Sequence, residues 1–152
     1  MAGSFSDAQE KAILDNRFGG VALATPATLF FALITDANSA ALRDAGTVTE
    51  VATAVWTNYQ RAPMTNNTTN FPAATGTAPT TKTNAVAIAG FLASGTSITT
   101  AGGAQVTITG YAIYDAASGG NFLGWGDQTP NKVVSTGDTY SVPAGGFTAT
   151  LD

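Results

Sequence analysis

The chain has 152 residues, with six Lys or Arg against ten Asp or Glu and a formal net charge of −4. That is the length of one ordinary domain, and only 11% of it is charged where about 25% is usual, so its polar surface must come from Thr, Ser, Asn and backbone. The six cations are scattered, which leaves no basic stripe for nucleic acid. Cysteine is absent, so neither a disulfide framework nor a thiolate metal site is expected, and histidine, the commonest general base and metal ligand, is absent too.

The amino terminus, Met1 to Asp7, has no basic and no apolar stretch, so no secretory leader is expected there. Ser6 to Gly20 reads as one helix. Ser6 can cap it, and Gln9 stands three residues on, as in a capping box. Asp7 and Glu10 in the first turn and Arg17 in the last suit the helix dipole, and Gly19-Gly20 stops it. Ile13, Leu14 and Phe18 give a narrow apolar stripe. A helix this short is marginal alone and must dock on something.

From there the chain reads as β. Thr28 to Thr35 is a short continuous apolar run, as in a strand buried on both faces; its core, Leu29 to Ile34, is far too short to span a bilayer. Asp36 to Gly46 is polar and small, a loop with room for one helical turn. Thr47 to Val55 is ambiguous between helix and strand. Trp56 to Ala62 alternates, and Pro63 ends it. Met64 to Lys82 is rich in Thr, Asn, Pro and Ala, and reads as a loop longer than most in a compact domain. Asn84 to Leu92 is a strand candidate.

Gln105 to Tyr114 alternates well, predicting Val106, Ile108, Gly110, Ala112 and Tyr114 on one face. Asp115 to Gly120 makes a corner and Asn121 to Gly126 returns. Lys132–Val134, Thr139–Val142 and Phe147–Leu151 complete the set, with Gly137-Asp138 and Pro143 to Gly146 as turns. Short strands separated by turn signals indicate an antiparallel β-sandwich, jelly-roll-like, with one short amino-terminal helix. The expected organisation is an arm and helix over residues 1–20 and a β-sandwich over 21–152, one structural domain with a long loop at about 64–82.

Chemistry is sparse. Carboxylate pairs are the enzymatic option left without histidine. Of the candidates Glu50, Asp115, Asp127 and Asp138, Asp115 and Asp138 sit where aspartate serves as a turn residue. Asp115 to Asn121 lacks the alternating acids of an EF-hand loop. Gly124-Trp-Gly126 is a fragment of a dinucleotide motif placed inside a strand, where small residues more often let the indole lie across a neighbour. The sequons at Asn66 and Asn67 are trivial in so Thr-rich a stretch. Trp56, Tyr59 and Phe71 are either an aromatic sugar platform or core, and core is the simpler reading. With Phe5, Phe18 and Arg61 they form the candidate interface set. No catalytic residue, cofactor or metal is assigned.

The carboxyl-terminal third carries a pattern: Ile108-Thr-Gly-Tyr-Ala-Ile-Tyr-Asp-Ala-Ala-Ser-Gly-Gly-Asn-Phe-Leu-Gly-Trp-Gly126, then Ser135-Thr-Gly-Asp-Thr-Tyr140, then Ala144 to Asp152 ending Leu-Asp. It resembles a family of small virion proteins of tailed bacteriophages, often labelled tail fibre proteins. The amino-terminal helix, Leu29 to Thr35, Glu50 and Tyr59-Gln-Arg61 also fit. The resemblance is weakest over 64–101. It implies a non-enzymatic structural protein located in the virion. The leading expectation is a capsid decoration or cement protein bound to the major capsid protein or other virion proteins. The alternative is a tail fibre or tail-tip module that binds a host receptor or glycan, with Trp56 and Tyr59 facing solvent. A homo-oligomer, a trimer by analogy of role, is expected, with neither nucleic acid nor membrane as partner. The helix and the 64–82 stretch are the expected contact elements.

Overall fold

The computed structural model describes residues 3–36, 40–77, 79–93 and 97–151. The elements, in order, are β1 (Gly3–Phe5), α1 (Asp7–Gly19), β2 (Thr28–Ile34), α2 (Ala40–Asp44), β3 (Ala62–Thr65), β4 (Thr80–Thr83), β5 (Val106–Tyr114), β6 (Phe122–Val134) and β7 (Thr148–Leu151). Strands β1, β6, β5, β2 and β3, in that spatial order, make one five-stranded sheet, and β4 pairs with β7 in a second. Every pairing is antiparallel. The protein is mainly β, in two antiparallel sheets with a short amino-terminal helix, consistent with the expected sandwich.

Strand β2 shows why a continuous apolar run belongs at the centre of a sheet. Phe31 and Leu33 enter the main core, while Ala32 and Ile34 enter a smaller cluster on the other face with Ala112, Tyr114 and Phe122. The main core closes on four rings. Phe147, one residue before β7, meets Phe31 at 5.5 Å, Tyr111 at 5.6 Å and Phe71 at 6.0 Å, all edge-on. Edge-to-face packing matches the aromatic quadrupole, and it anchors the second sheet to the first.

Strand β5 departs from simple alternation. Val106 and Ile108 face the main core, but so do Tyr111 and Ile113. The pairing with β6 slips between Ile108, opposite Lys132, and Gly110, opposite Asp127. Such a bulge flips the side-chain parity, so Ala112 and Tyr114 share the face opposite Ile108 rather than its own. Strand β6 runs unbroken through Lys132–Val134, which is therefore no separate strand.

The glycines around Trp125 are required by close approach. A Cβ on Gly124 would lie 2.7 Å from the Ser4 carbonyl oxygen of β1, and one on Gly126 would strike the Tyr111 ring. Small residues here let β1 add to the sheet edge, with Gly3 opposite Gly126 and Phe5 opposite Gly124.

Other expectations are corrected. Trp56 to Arg61 is not a strand: the Tyr59 N–H reaches the Trp56 carbonyl at 3.1 Å in a tight turn, which puts both rings in the core 5.7 Å apart. A strand would send residues three apart to opposite faces. Glu50 and Ile88 make isolated bridges, to Ile34 and Val142, rather than continuous strands. The 64–82 stretch is bounded by β3 and β4, with Phe71 tucked into the core between them.

Helix α1 forms as its caps predict. The Gln9 N–H donates to the Ser6 hydroxyl at 3.2 Å, and Gly20 is left-handed with its N–H on the Asp15 carbonyl. Ser6 is itself buried and donates to the Phe122 carbonyl at 2.9 Å, tying the cap to β6. No residue of α1 is buried. Leu14 and Phe18 of its apolar stripe stay outside, 57% and 85% exposed.

Candidate functional site

Two arginines organise the polar chemistry of the fold. Arg43, on α2, is 1% exposed although the sequence around it reads as a polar loop. Its Nη2 and Nε donate to Asp36 Oδ1 at 3.2 and 3.4 Å, its Nη2 also reaches Thr109 Oγ1 at 3.3 Å, and its Nη1 donates to Asp127. Its guanidinium lies 5.3 Å from the Trp125 ring centre, and the Trp125 indole N–H donates to Asp44 at 2.6 Å. Gly110 makes this possible: a Cβ there would lie 2.9 Å from Arg43 Nη1 and would strike the Gly126 carbonyl. The group is a clamp that fastens Asp36 and α2 over the β5–β6 bulge. Asp36 extends it by accepting the Thr49 N–H at 2.9 Å.

The second arginine pins the β5–β6 corner. Arg61 forks onto Glu50, with Nε to Oε1 at 3.1 Å and Nη2 to Oε2 at 2.9 Å. Its Nη1 donates to the Ala116 and Gly119 carbonyls at 3.0 and 2.7 Å, and its guanidinium lies 3.6 Å over the Tyr114 ring. A planar donor fork of this kind satisfies a carboxylate and a turn at once. Behind it, the Tyr59 hydroxyl donates to Glu50 at 2.8 Å and accepts the Leu33 N–H at 2.9 Å. Burial, reinforced by the Glu50 charge, pushes the Tyr59 phenol far above its ordinary value, so it stays a neutral donor.

The carboxylates do not converge. Asp115 accepts the Asn121 backbone and side-chain N–H groups, both at 2.7 Å, and those bonds lower its pKa. Asp138 accepts the Ser135 N–H at 2.8 Å in its own turn. Glu50 and Asp127 belong to different arginines. No group of three or more potential metal-ligating side chains occurs among the described residues.

Of the candidate interface residues, Trp56, Tyr59 and Phe71 are core, at 0%, 7% and 3% exposure. The solvent-facing platform of Trp56 and Tyr59 is thereby overturned, because their rings pack on each other inside the domain. Arg61 is held internally rather than exposed, with only 10% of its side chain accessible. Phe18 stands in solvent. Phe5 is half-buried and lines an apolar cleft of about 250 Å³ together with Leu23, Pro26, Leu29, Trp125 and Phe147. Sequence reasoning missed the Arg43 clamp, whose partners lie up to 84 residues away. The nearest signal was Asp127 following Gly-Trp-Gly.

A β-module in which Arg43, Arg61 and their carboxylate partners are engaged in holding its own loops has the character of a structural protein. The chain matches the family described as "Podophage GP4 fiber I protein gp80" over residues 4–150 and belongs to it. It is therefore a phage structural protein, a component of the virion, in a family whose kind is generally non-enzymatic. A search of curated proteins gives no match. No helix among the described residues is long and apolar enough to cross a membrane.

Proposed function

We propose that this chain is a building module of a podophage tail fibre and acts through surface contact with other virion proteins. The observation that carries the reading is the family match across nearly the whole chain, whose description names a fibre. For that reason the fibre is preferred here over decoration of the capsid shell. The geometry agrees with a contact role: the ionisable side chains that sequence reasoning singled out are engaged within the fold, and large apolar side chains remain outside on α1. The test is location and copy number on intact particles. Antibody labelling in electron microscopy should decorate the tail, and quantitative mass spectrometry should count tens of copies or fewer. Label spread evenly over the head, with hundreds of copies, would return the protein to the shell.

A further inference from the structure

The two sheets are unequal, five strands against two, and a short sheet cannot cover the whole of a longer one. Where it stops, the sandwich stays open in the apolar cleft of about 250 Å³. The floor of the cleft is core: Phe71, Ile113, Trp125 and Phe147 line it, and each is at least nine-tenths buried. Its walls are fixed by hydrogen bonds. Strand β1 is paired to β6 through Gly124. The Asn66 side chain and backbone N–H donate to the Pro26 and Ala27 carbonyls at 3.0 and 2.9 Å, which holds the segment carrying Leu23, Pro26 and Leu29 against the end of β3. The cleft is thus pre-formed, as small-molecule sites usually are.

Its charge is as particular as its shape. The protein carries ten Asp or Glu against six Lys or Arg, yet no acid lines the cleft, and its only ionisable lining residue is Lys82, exposed on β4. Lys82 makes no ion pair among the described residues. We propose that the cleft binds a single saturated acyl chain ending in a carboxylate, with the chain on the aromatic floor and the carboxylate at Lys82. An apolar cavity of about 150 Å³ holds the six carbons of a benzene ring, so a cleft of about 250 Å³ takes roughly ten. Water is a poor occupant, because it needs about two to four polar partners and the Asn66 amide is already engaged. A neutral chain would leave Lys82 unused, and a cationic one would face it in repulsion.

The test uses the full chain and straight-chain carboxylates from hexanoate to tetradecanoate, kept below their micelle-forming concentrations. Calorimetric titration should give one saturable site, with each added methylene tightening binding about fourfold up to roughly decanoate and no further beyond it. In methyl-resolved NMR, decanoate should shift Leu29 and Ile113 and leave Leu14, on the exposed face of α1, unmoved. Lys82→Gln should weaken decanoate by up to about fivefold and leave decanol unaffected. Ala24→Trp, at an exposed lining position, sets an indole in the cleft and should abolish binding while the melting temperature is kept. The chain-length and NMR arms need no variant. Absence of saturable binding overturns the proposal. So does an affinity that climbs evenly to tetradecanoate, a shift at Leu14 in place of Leu29, or decanoate retained by Ala24→Trp. Equal binding of decanoate and decyltrimethylammonium overturns the anionic head. None of these outcomes depends on whether the protein sits on a tail or on a head.

Discussion

Arg43 offers the sharpest test of what holds this fold together, because its two sides are unequally buried. The guanidinium is 1% exposed, while Asp36 and Asp127 are 18% and 40% exposed. Replacing Arg43 with Met removes the charge from the dry side and leaves two carboxylates that reach water. Asp36 also keeps its Thr49 N–H. The loss is of charge-assisted hydrogen bonds, each worth about 1.5–3 kcal/mol when buried and discounted here for solvent access; about 2–3 kcal/mol in total is expected. The opposite change, Asp36→Asn with Asp127→Asn, keeps the shapes but strands a buried guanidinium among neutral acceptors. Removing the partners of a buried charge costs about 3–5 kcal/mol. For a chain of this size 1 kcal/mol moves Tm by roughly 2–4 °C, so the double variant should melt visibly below Arg43→Met. The triple variant should recover part of the difference, since it leaves no buried charge. Urea unfolding followed by tryptophan fluorescence at neutral pH measures all three. If Arg43→Met proves the worst of them, or if every variant lies within about 0.5 kcal/mol of the parent, the clamp described above is not what fastens α2 to the sheet.

The remaining expectations follow from individual contacts. Tyr59→Phe leaves the buried Leu33 N–H without its 2.9 Å acceptor and should lower stability by about 1–3 kcal/mol, read from the urea midpoint; an unchanged midpoint counts against the Glu50–Tyr59 brace. Asp115 has a lowered pKa through its bonds from Asn121, so its contribution is present above the usual carboxylate pKa and is lost as pH falls through the lowered one. Asp115→Asn should thus be less stable than the parent at about pH 7 and should converge with it on acidification below about pH 4; a constant gap at every pH would refute the assignment. Burial raises all four tyrosines, Tyr140 up to about 12 and Tyr59 and Tyr111 further. A raised phenol stabilises the fold fully below the unfolded pKa of about 10, and that contribution is lost as pH rises toward the folded value. Tyrosinate absorbance and loss of tryptophan fluorescence should accordingly appear together in alkaline titration, whereas separate tyrosinate formation near the ordinary pKa with fluorescence intact would contradict the burial.

How much of this could be read from residues alone depends on how local the determining contact is. The caps of α1 were legible because Ser6 and Gln9 are three residues apart. Strand β2 was legible because its run of apolar residues has no polar face to offer. The β5–β6 hairpin announced itself through Asp115, the Gly-Gly corner and the returning Trp125. The parity switch after Ile108 was not legible, since a bulge depends on where the partner strand slips. Arg43 and Arg61 were not legible as clamps either: Arg43 joins two carboxylates and a threonine hydroxyl, and Arg61 a carboxylate and two carbonyls, over separations of 7 to 84 residues. Trp56 and Tyr59 misled by alternating in sequence while turning in space. In each case the missing information was the sheet order, which no local pattern contains.

Sheet order also bears on how copies can assemble. Strand β1 covers the outer edge of β6 only at Gly124 to Gly126, and no described strand pairs on that side from Asp127 onward. An open edge of this length would invite another chain to add a strand. Here, however, it carries Pro130, which has no N–H to donate, and Lys132, whose charge opposes stacking, and both devices discourage edge-to-edge pairing. At the far edge, β3 is four residues long and contains Pro63. Strand addition is therefore discouraged at both sides of the large sheet, which favours contact through side-chain surfaces there. The face of α1 is where the chain leaves its most exposed aromatic, Phe18, beside charges it does not pair for itself.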